Sequence, residues 1–271
     1  MSSRHPAALG ATLAGFCYHD VTDDPAESGL QRNAATPFKL RPDQFADHLD
    51  AIAQGLAAPA LITDIDLQRP GRHLLLTFDD GGKSALRTAD ELSRRGWRGH
   101  FFIPTSFIGR RTFLDQGDIR QLRSAGHLIG SHSHTHPNIY RELERERMVV
   151  EWRQSSDILA QLLGEPCRIA SVPGGEISED VLRSADRAGL RHLFTSEPWL
   201  RPRIVGGCWI LGRFCAKNTT PAQTITELAS FQGWAGKLLM RRIKGVARRT
   251  VPPLYRLYVS RSRHEWQESA P

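Results

Sequence analysis

The chain has 271 residues, 40% of them hydrophobic and 24% charged, an ordinary globular composition with length for one large domain or two small ones. Disorder, collagen and coiled coil are excluded as global descriptions, and the apolar runs are too short to cross a bilayer. The net charge of +7 is uneven: residues 235–264 hold nine Lys and Arg and no acid, leaving 27 basic against 29 acidic residues elsewhere, so a general nucleic-acid-binding surface is not expected.

Residues 1–20 carry one early Arg and no convincing cleavage site, and their apolar stretch runs into a polar YHDV. No secretory signal is read there, and a cytoplasmic location is expected. A strand is predicted at 13–18. Residues 41–55 read as a helix, with Phe45, Leu49 and Ile52 on one face and Pro42 in the first turn. The continuous apolar run 74–78 predicts a strand buried on both faces. Helices are then predicted at 83–95, 115–125, 139–163, 178–188 and 221–231, and strands at 99–104, 127–131, 168–172, 192–196 and 208–214. This alternation of about seven strands with helices predicts an α/β fold with a mainly parallel sheet, open or closed. The cysteines Cys17, Cys167, Cys208 and Cys215 show no C-x-x-C spacing and are expected to be reduced and mostly buried.

Two polar clusters follow predicted strands. Asp79 and Asp80 close the run LLLTFDDGG; on their own they are equally a turn and a helix N-cap. His132, His134 and His136 follow the strand 127–131. In a helical turn His132 and His136 would share a face; in an extended chain all three would. Either arrangement can present two imidazoles to one divalent ion. Strand ends in a parallel sheet open on one side, so the clusters can meet there. One carboxylate and two imidazoles form a metal set with open positions, leaving the second carboxylate as a base. No G-x-S-x-G, P-loop or dinucleotide fingerprint is present.

TFDDG at Thr77–Gly81 and H-S-x-x-H at His132–His136 resemble the first two motifs of the polysaccharide deacetylases (NodB homology, carbohydrate esterase family 4), over roughly residues 13–231. The resemblance implies a distorted seven-stranded (β/α) barrel for residues 1–233, followed by a basic C-terminal extension, 234–271. It implies Asp79 as general base and Asp80, His132 and His136 as ligands of one divalent metal, zinc first, with cobalt, manganese or nickel as alternatives. His134 is read as a neighbour of the ligands. The implied activity is removal of acetyl groups from an N-acetylated sugar polymer, oligosaccharide or lipid-linked precursor by a water activated at the metal. A non-catalytic glycan-binding relative and a deacylase of another small amide are the alternatives.

The family's third motif, R-x-P-x-G, here reads Ser171-Val172-Pro173-Gly174-Gly175. Pro173 and Gly174 are implied at the oxyanion, but the Arg that orients the base is absent, which leaves Asp79 without a known partner. The late Leu-x-His motif, source of the catalytic acid in many members, is not visible. Tyr18-His19-Asp20-Val21 resembles an early Tyr-His motif of one branch, which implies His19 as the acid, with Tyr18 beside the substrate. In the C-terminal extension, Leu238, Leu239, Ile243 and Val246 fall on one side of a helical wheel and Arg241, Lys244 and Arg248 on the other. Docking on the barrel with the basic face in water is expected, with peripheral contact at the inner face of an anionic membrane as the other reading.

Overall fold

The computed structural model describes residues 10–175 and 177–250, with side chains in the last helix described as far as Ile243. In chain order the strands are β1 (Ala11–Tyr18), β2 (Asp20–Val21), β3 (Lys39–Leu40), β4 (Gly71–Phe78), β5 (His100–Ile103), β6 (Leu128–Ser131), β7 (Ile169–Ser171), β8 (His192–Phe194), β9 (Arg203–Val205), β10 (Cys208–Leu211) and β11 (Phe214–Cys215). The helices are α1 (Pro42–Ala53), α2 (Ala85–Arg94), α3 (Gln116–Ser124), α4 (Arg145–Leu163), α5 (Glu179–Arg187), α6 (Ala222–Ala229) and α7 (Trp234–Thr250).

Nine strands form one sheet in the order β11-β1-β4-β5-β6-β7-β8-β10-β9, and β2 pairs with β3 apart from it. All pairings in the large sheet are parallel except β10 with β9. The chain 208–215 pairs with β8 at one end and with β1 at the other. That stretch therefore joins the two ends of the curled sheet, and it counts as the seventh position of the distorted barrel that the family resemblance implies.

The period-2 alternation of strands sets the two faces. Leu13, Leu75, Phe102, Ile169, Phe194 and Leu211 point inward and fill the barrel. Ala14, Phe16, Tyr18, Leu74, Leu76 and Phe78 point outward, where α1 meets them with Phe45, Leu49 and Ile52. Burial on both faces is why 74–78 reads as an unbroken apolar run. On the far side, Met148 and Trp152 of α4 pack with Val181 and Ala185 of α5 over Leu193 and Ile210.

The local signals act as sequence chemistry dictates. Pro42 opens α1, Asp115 and Asp118 form a reciprocal capping box on α3, Ser178 caps α5, and Gly164 closes α4 at φ 70°. Three expectations are corrected. The helix predicted from 139 begins as a 3₁₀ turn, Tyr140–Glu142; Leu143 and Glu144 are extended, and α4 starts only at Arg145. The run 208–214 is two strands broken at Gly212 and Arg213, and the antiparallel strand β9 was not foreseen. The start of α7 docks with its faces reversed: Trp234 is buried edge-on against Phe16, Arg241 turns inward to Glu197, and Leu239, Met240 and Ile243 are exposed. The expectations for Lys244, Val246, Arg248 and residues 251–271 lie outside the described side chains.

His100 gives a pH prediction. It is fully buried; its Nε2 accepts from the Ile62 N–H at 2.9 Å, so Nδ1 carries the proton and donates to the Leu76 carbonyl at 2.8 Å. Burial pushes its pKa down to about 4. The unfolded chain, with an ordinary histidine, therefore binds more protons between pH 6.5 and 4, and stability falls as pH drops through that window. The expected contribution is on the order of 3 kcal/mol. Replacing His100 with Gln should flatten this part of the stability profile, measured by denaturant unfolding against pH. An unchanged slope would show that His100 does not stay neutral.

Candidate active site

The acidic pair is built by the end of β4. The Asp79 N–H donates to the Tyr18 carbonyl at 2.9 Å, carrying the ladder one residue further. Asp80 then adopts φ 72° and Gly81 φ 64°, a turn that brings two consecutive carboxylates to one rim. Neither caps α2, whose N-cap residue is Ser84. A positive φ at an aspartate is a strained backbone state, held here by its surroundings.

The histidine cluster is neither a helical turn nor an extended strand. Ser133 and His136 have φ of 63° and 50°. The buried carboxylate of Glu151, on α4, accepts hydrogen bonds from the backbone N–H groups of His134 and Thr135 and from the Thr135 hydroxyl. Ser131 Oγ accepts from the Ser133 N–H, and Ser133 Oγ from the His136 N–H. The loop is thus folded chiefly by side chains outside it, Glu151 and Ser131, with Ser133 adding one bond from within, and its shape selects which imidazoles converge. His132 Nε2 lies 3.2 Å and His136 Nε2 3.3 Å from the same oxygen, Asp80 Oδ1. His134 turns away, bonding to the Thr105 hydroxyl and Gln154.

These three buried groups fit a divalent ion. Their ligand atoms all lie within 4.8 Å of one another, and His132 is oriented by a 2.9 Å bond from Nδ1 to the Ser171 carbonyl, the outer-shell contact that fixes a ligating nitrogen. Burial would raise the Asp80 carboxyl, but the hydrogen bonds from both imidazoles outweigh it and hold the group well below the usual range. Burial also holds His136 neutral, with a pKa of about 4, as a metal ligand must be.

Asp79 does have a partner. Arg213, fully buried at the break between β10 and β11, donates Nη1 to Asp79 Oδ1 at 2.8 Å and Nη2 to Oδ2 at 2.9 Å. Its remaining donors go to the Thr77 hydroxyl, the Ser171 hydroxyl and the Thr195 carbonyl. Ser171 also donates to Asp79 Oδ2 at 3.0 Å. All five N–H groups of the guanidinium are thereby used. Gly15 makes room: a Cβ there would lie 2.7 Å from the Gly212 carbonyl and 3.1 Å from Arg213 Cγ. Burial disfavours ionised Asp79, but the Arg213 charge beside it prevails and sets its pKa at about 2.

Asp79, Asp80, His132, His136, His19 and Gly174 line one open cavity of about 800 Å³. A His19 ring nitrogen lies within 4.8 Å of an Asp79 carboxylate oxygen, and the ring packs at a tilt against Phe38, 4.8 Å between ring centroids. Its Nδ1 is buried with no hydrogen-bond partner among the described residues. Gly174 has φ 63°, and Pro173 is buried beside it. Tyr18 is a correction: its ring packs in the outer core against Phe45 and Phe78, because alternation along β1 turns it away from the barrel interior. What it brings to the site is its backbone carbonyl. Trp199, Trp209 and Trp234 do not line the cavity. Cys17 and Cys215 are register partners on neighbouring strands, and Cys17 Sγ lies 3.5 Å from Asp79 Oδ2; all four cysteines are free.

Residues 66–193 match the family model described as polysaccharide deacetylase. That segment holds Asp79, Asp80, His132, His136 and Gly174, but neither His19 nor Arg213. A peptidoglycan-N-acetylglucosamine deacetylase of Bacillus cereus is 28% identical over 114 residues, 41% of this chain and 39% of the relative. One from Listeria monocytogenes is 26% identical over 93 residues, 34% of this chain and 19% of the relative. The chain thus spans about half or less of the length of the curated relatives it matches. Among solved structures, a polysaccharide deacetylase from Bacillus cereus superposes with a TM-score of 0.68 at 15% identity, over 82% of this chain and 70% of that one, a likeness of fold.

Proposed function

Because residues 66–193 belong to the polysaccharide deacetylase family, we propose that this protein is a metal-dependent hydrolase that removes acetyl groups from an N-acetylated glycan. One observation carries the reading: Asp80, His132 and His136 converge on a single point beside a second carboxylate, Asp79, that a buried arginine holds in a fixed orientation. The names of the relatives support the substrate class.

A divalent ion, zinc in the first place, held by Asp80, His132 and His136 would polarise the amide carbonyl and acidify water. The residues around it supply the rest. Asp79 is a weak base, ionised at every physiological pH, and would accept a proton only from a water that the ion has made acidic. Arg213 contributes orientation: a forked pair of bonds leaves the carboxylate no rotational freedom. His19, beside Asp79 in the cavity, is positioned to protonate the departing amine. Gly174 places backbone without a side chain against the cavity, where its N–H is the proposed donor to the developing oxyanion. The exposed Leu239 and Ile243, next to Arg242, support the second reading of this segment, peripheral membrane contact. No helix among the described residues is long and apolar enough to cross a membrane.

The test is acetate release from N-acetylglucosamine oligomers. The proposal expects release that chelator abolishes and added zinc or cobalt restores. Release that survives chelation, or acetate from simple amides but from no glycan, would replace the reading with a deacylase of another kind. Within the same assay, His19→Gln should lower turnover by about 100-fold or more with metal content unchanged. Wild-type turnover in that variant would remove His19 from the chemistry.

A further inference from the structure

The charged residues that line the cavity differ in how they are paired. Its three acidic residues are committed: Asp79 to Arg213, Asp80 to the two imidazoles, and Asp20 to the hydroxyls of Ser28 and Ser84. Besides Arg213, the other charged residues that line it are cations: Arg32, Lys217, Lys237 and Arg241. Arg241 is tied to Glu197 and the Gly175 carbonyl, and Arg32 donates to Asn138. The ammonium groups of Lys217 and Lys237 make no hydrogen bond or ion pair among the described residues. Each instead lies over an aromatic face, Lys217 above Phe38 at 5.3 Å and Lys237 above Phe214 at 5.5 Å.

Those contacts hold each ammonium on the cavity wall while leaving its three donors uncommitted. Lys237 also lies in the first turn of α7, which carries no acidic residue, so the positive end of the helix dipole adds to the same region. No uncommitted acidic residue among the described residues lines the cavity to oppose these two ammonium groups, so an anionic ligand group is favoured there.

We propose that Lys217 and Lys237 form an anion subsite, and that the glycan bound here carries a carboxylate or phosphate close to the N-acetylated sugar. The inference deepens the deacetylase reading and rests on it for the identity of the sugar. It also gives α7 a role: its basic side completes the substrate cavity.

Binding separates this proposal from the catalytic one. The full-length Asp79→Asn chain, loaded with zinc so that ligand is not consumed, is titrated calorimetrically at low and high salt. Two pairs of probes are used: tri-N-acetylchitotriose against a hyaluronan tetrasaccharide, and N-acetylglucosamine against its 1-phosphate. The charged member of at least one pair should bind about tenfold tighter or more at low salt, with the advantage shrinking as salt rises. Which pair responds identifies carboxylate or phosphate. Lys217→Gln with Lys237→Gln should bring that affinity ratio close to unity, and the Lys→Arg pair should restore it, with thermal melts confirming that both variants fold. No preference for either anion, or a preference that survives the glutamine pair, overturns the subsite. Acetate release by the wild-type chain is scored separately. Release without an anion preference sinks only the subsite; a preference without release from any glycan sinks only the deacetylase reading.

Discussion

Replacing Arg213 with methionine is expected to lower turnover by about 10²–10³-fold while leaving the arrangement of Asp80, His132 and His136 intact, since none of the three bonds to it. The guanidinium connects the Asp79 carboxylate to Thr77 on β4, Ser171 on β7 and Thr195 beyond β8. Without it the carboxylate keeps only the Ser171 hydroxyl and the Cys17 thiol, and it remains a buried charge with no counter-charge bonded to it. That should also destabilise the fold by about 3–5 kcal/mol, so turnover must be read below the melting transition. Arg213→Lys separates the two effects. It restores a positive charge, and with it much of the stability, but a lysine cannot present the two-pronged fork. Turnover should therefore stay low in the lysine variant. Recovery of wild-type rates with lysine would mean that charge alone matters, and unchanged rates with methionine would mean that the orientation of Asp79 is irrelevant.

The second large effect divides the acidic pair by role. Asp80→Ala and His136→Ala should each weaken metal binding by more than about 100-fold, since losing even an outer-shell partner of a ligand costs 10–100-fold. Asp79→Asn should retain the metal, because Asp79 is bonded to Arg213 and Ser171 and not to the histidines; its nearest approach to His132 is 4.0 Å. Its turnover should nonetheless fall by about 10²–10⁴-fold, the range for a lost general base. Loss of metal in the Asp79 variant, or retention in the Asp80 variant, would exchange their roles.

The depth to which the sequence is legible differs between elements for physical reasons. The βα alternation and the convergence of Asp79, Asp80, His132 and His136 are readable because a parallel sheet sends all its strand ends to one side. Tyr18 was misplaced by motif reading, although strand alternation predicts its outward course: Leu13 faces in, so Tyr18 faces out with Phe16. Arg213 escaped because its partner lies 134 residues away. Its local signal is an arginine behind a glycine in the otherwise apolar run CWILGRFC, where a charge must meet a counter-charge. Glu151 gives the same kind of signal, an acid on the helical face shared with Met148, Trp152 and Ser155. The conformation of the histidine loop had no such marker, since side chains elsewhere impose it. The reversed face of α7 follows from the cavity beneath it, and a helical wheel carries no information about what a helix lands on.

The central claim is that Asp80, His132 and His136 together hold one divalent ion beside Asp79. Elemental analysis of the purified chain and its Asp80→Ala, His132→Ala and Asp79→Asn variants, each equilibrated with zinc and then desalted, tests it directly. The account predicts about one ion per chain in the wild type and in Asp79→Asn, and a near-total loss in the other two. Equal metal in all four proteins, or none in the wild type, would contradict it.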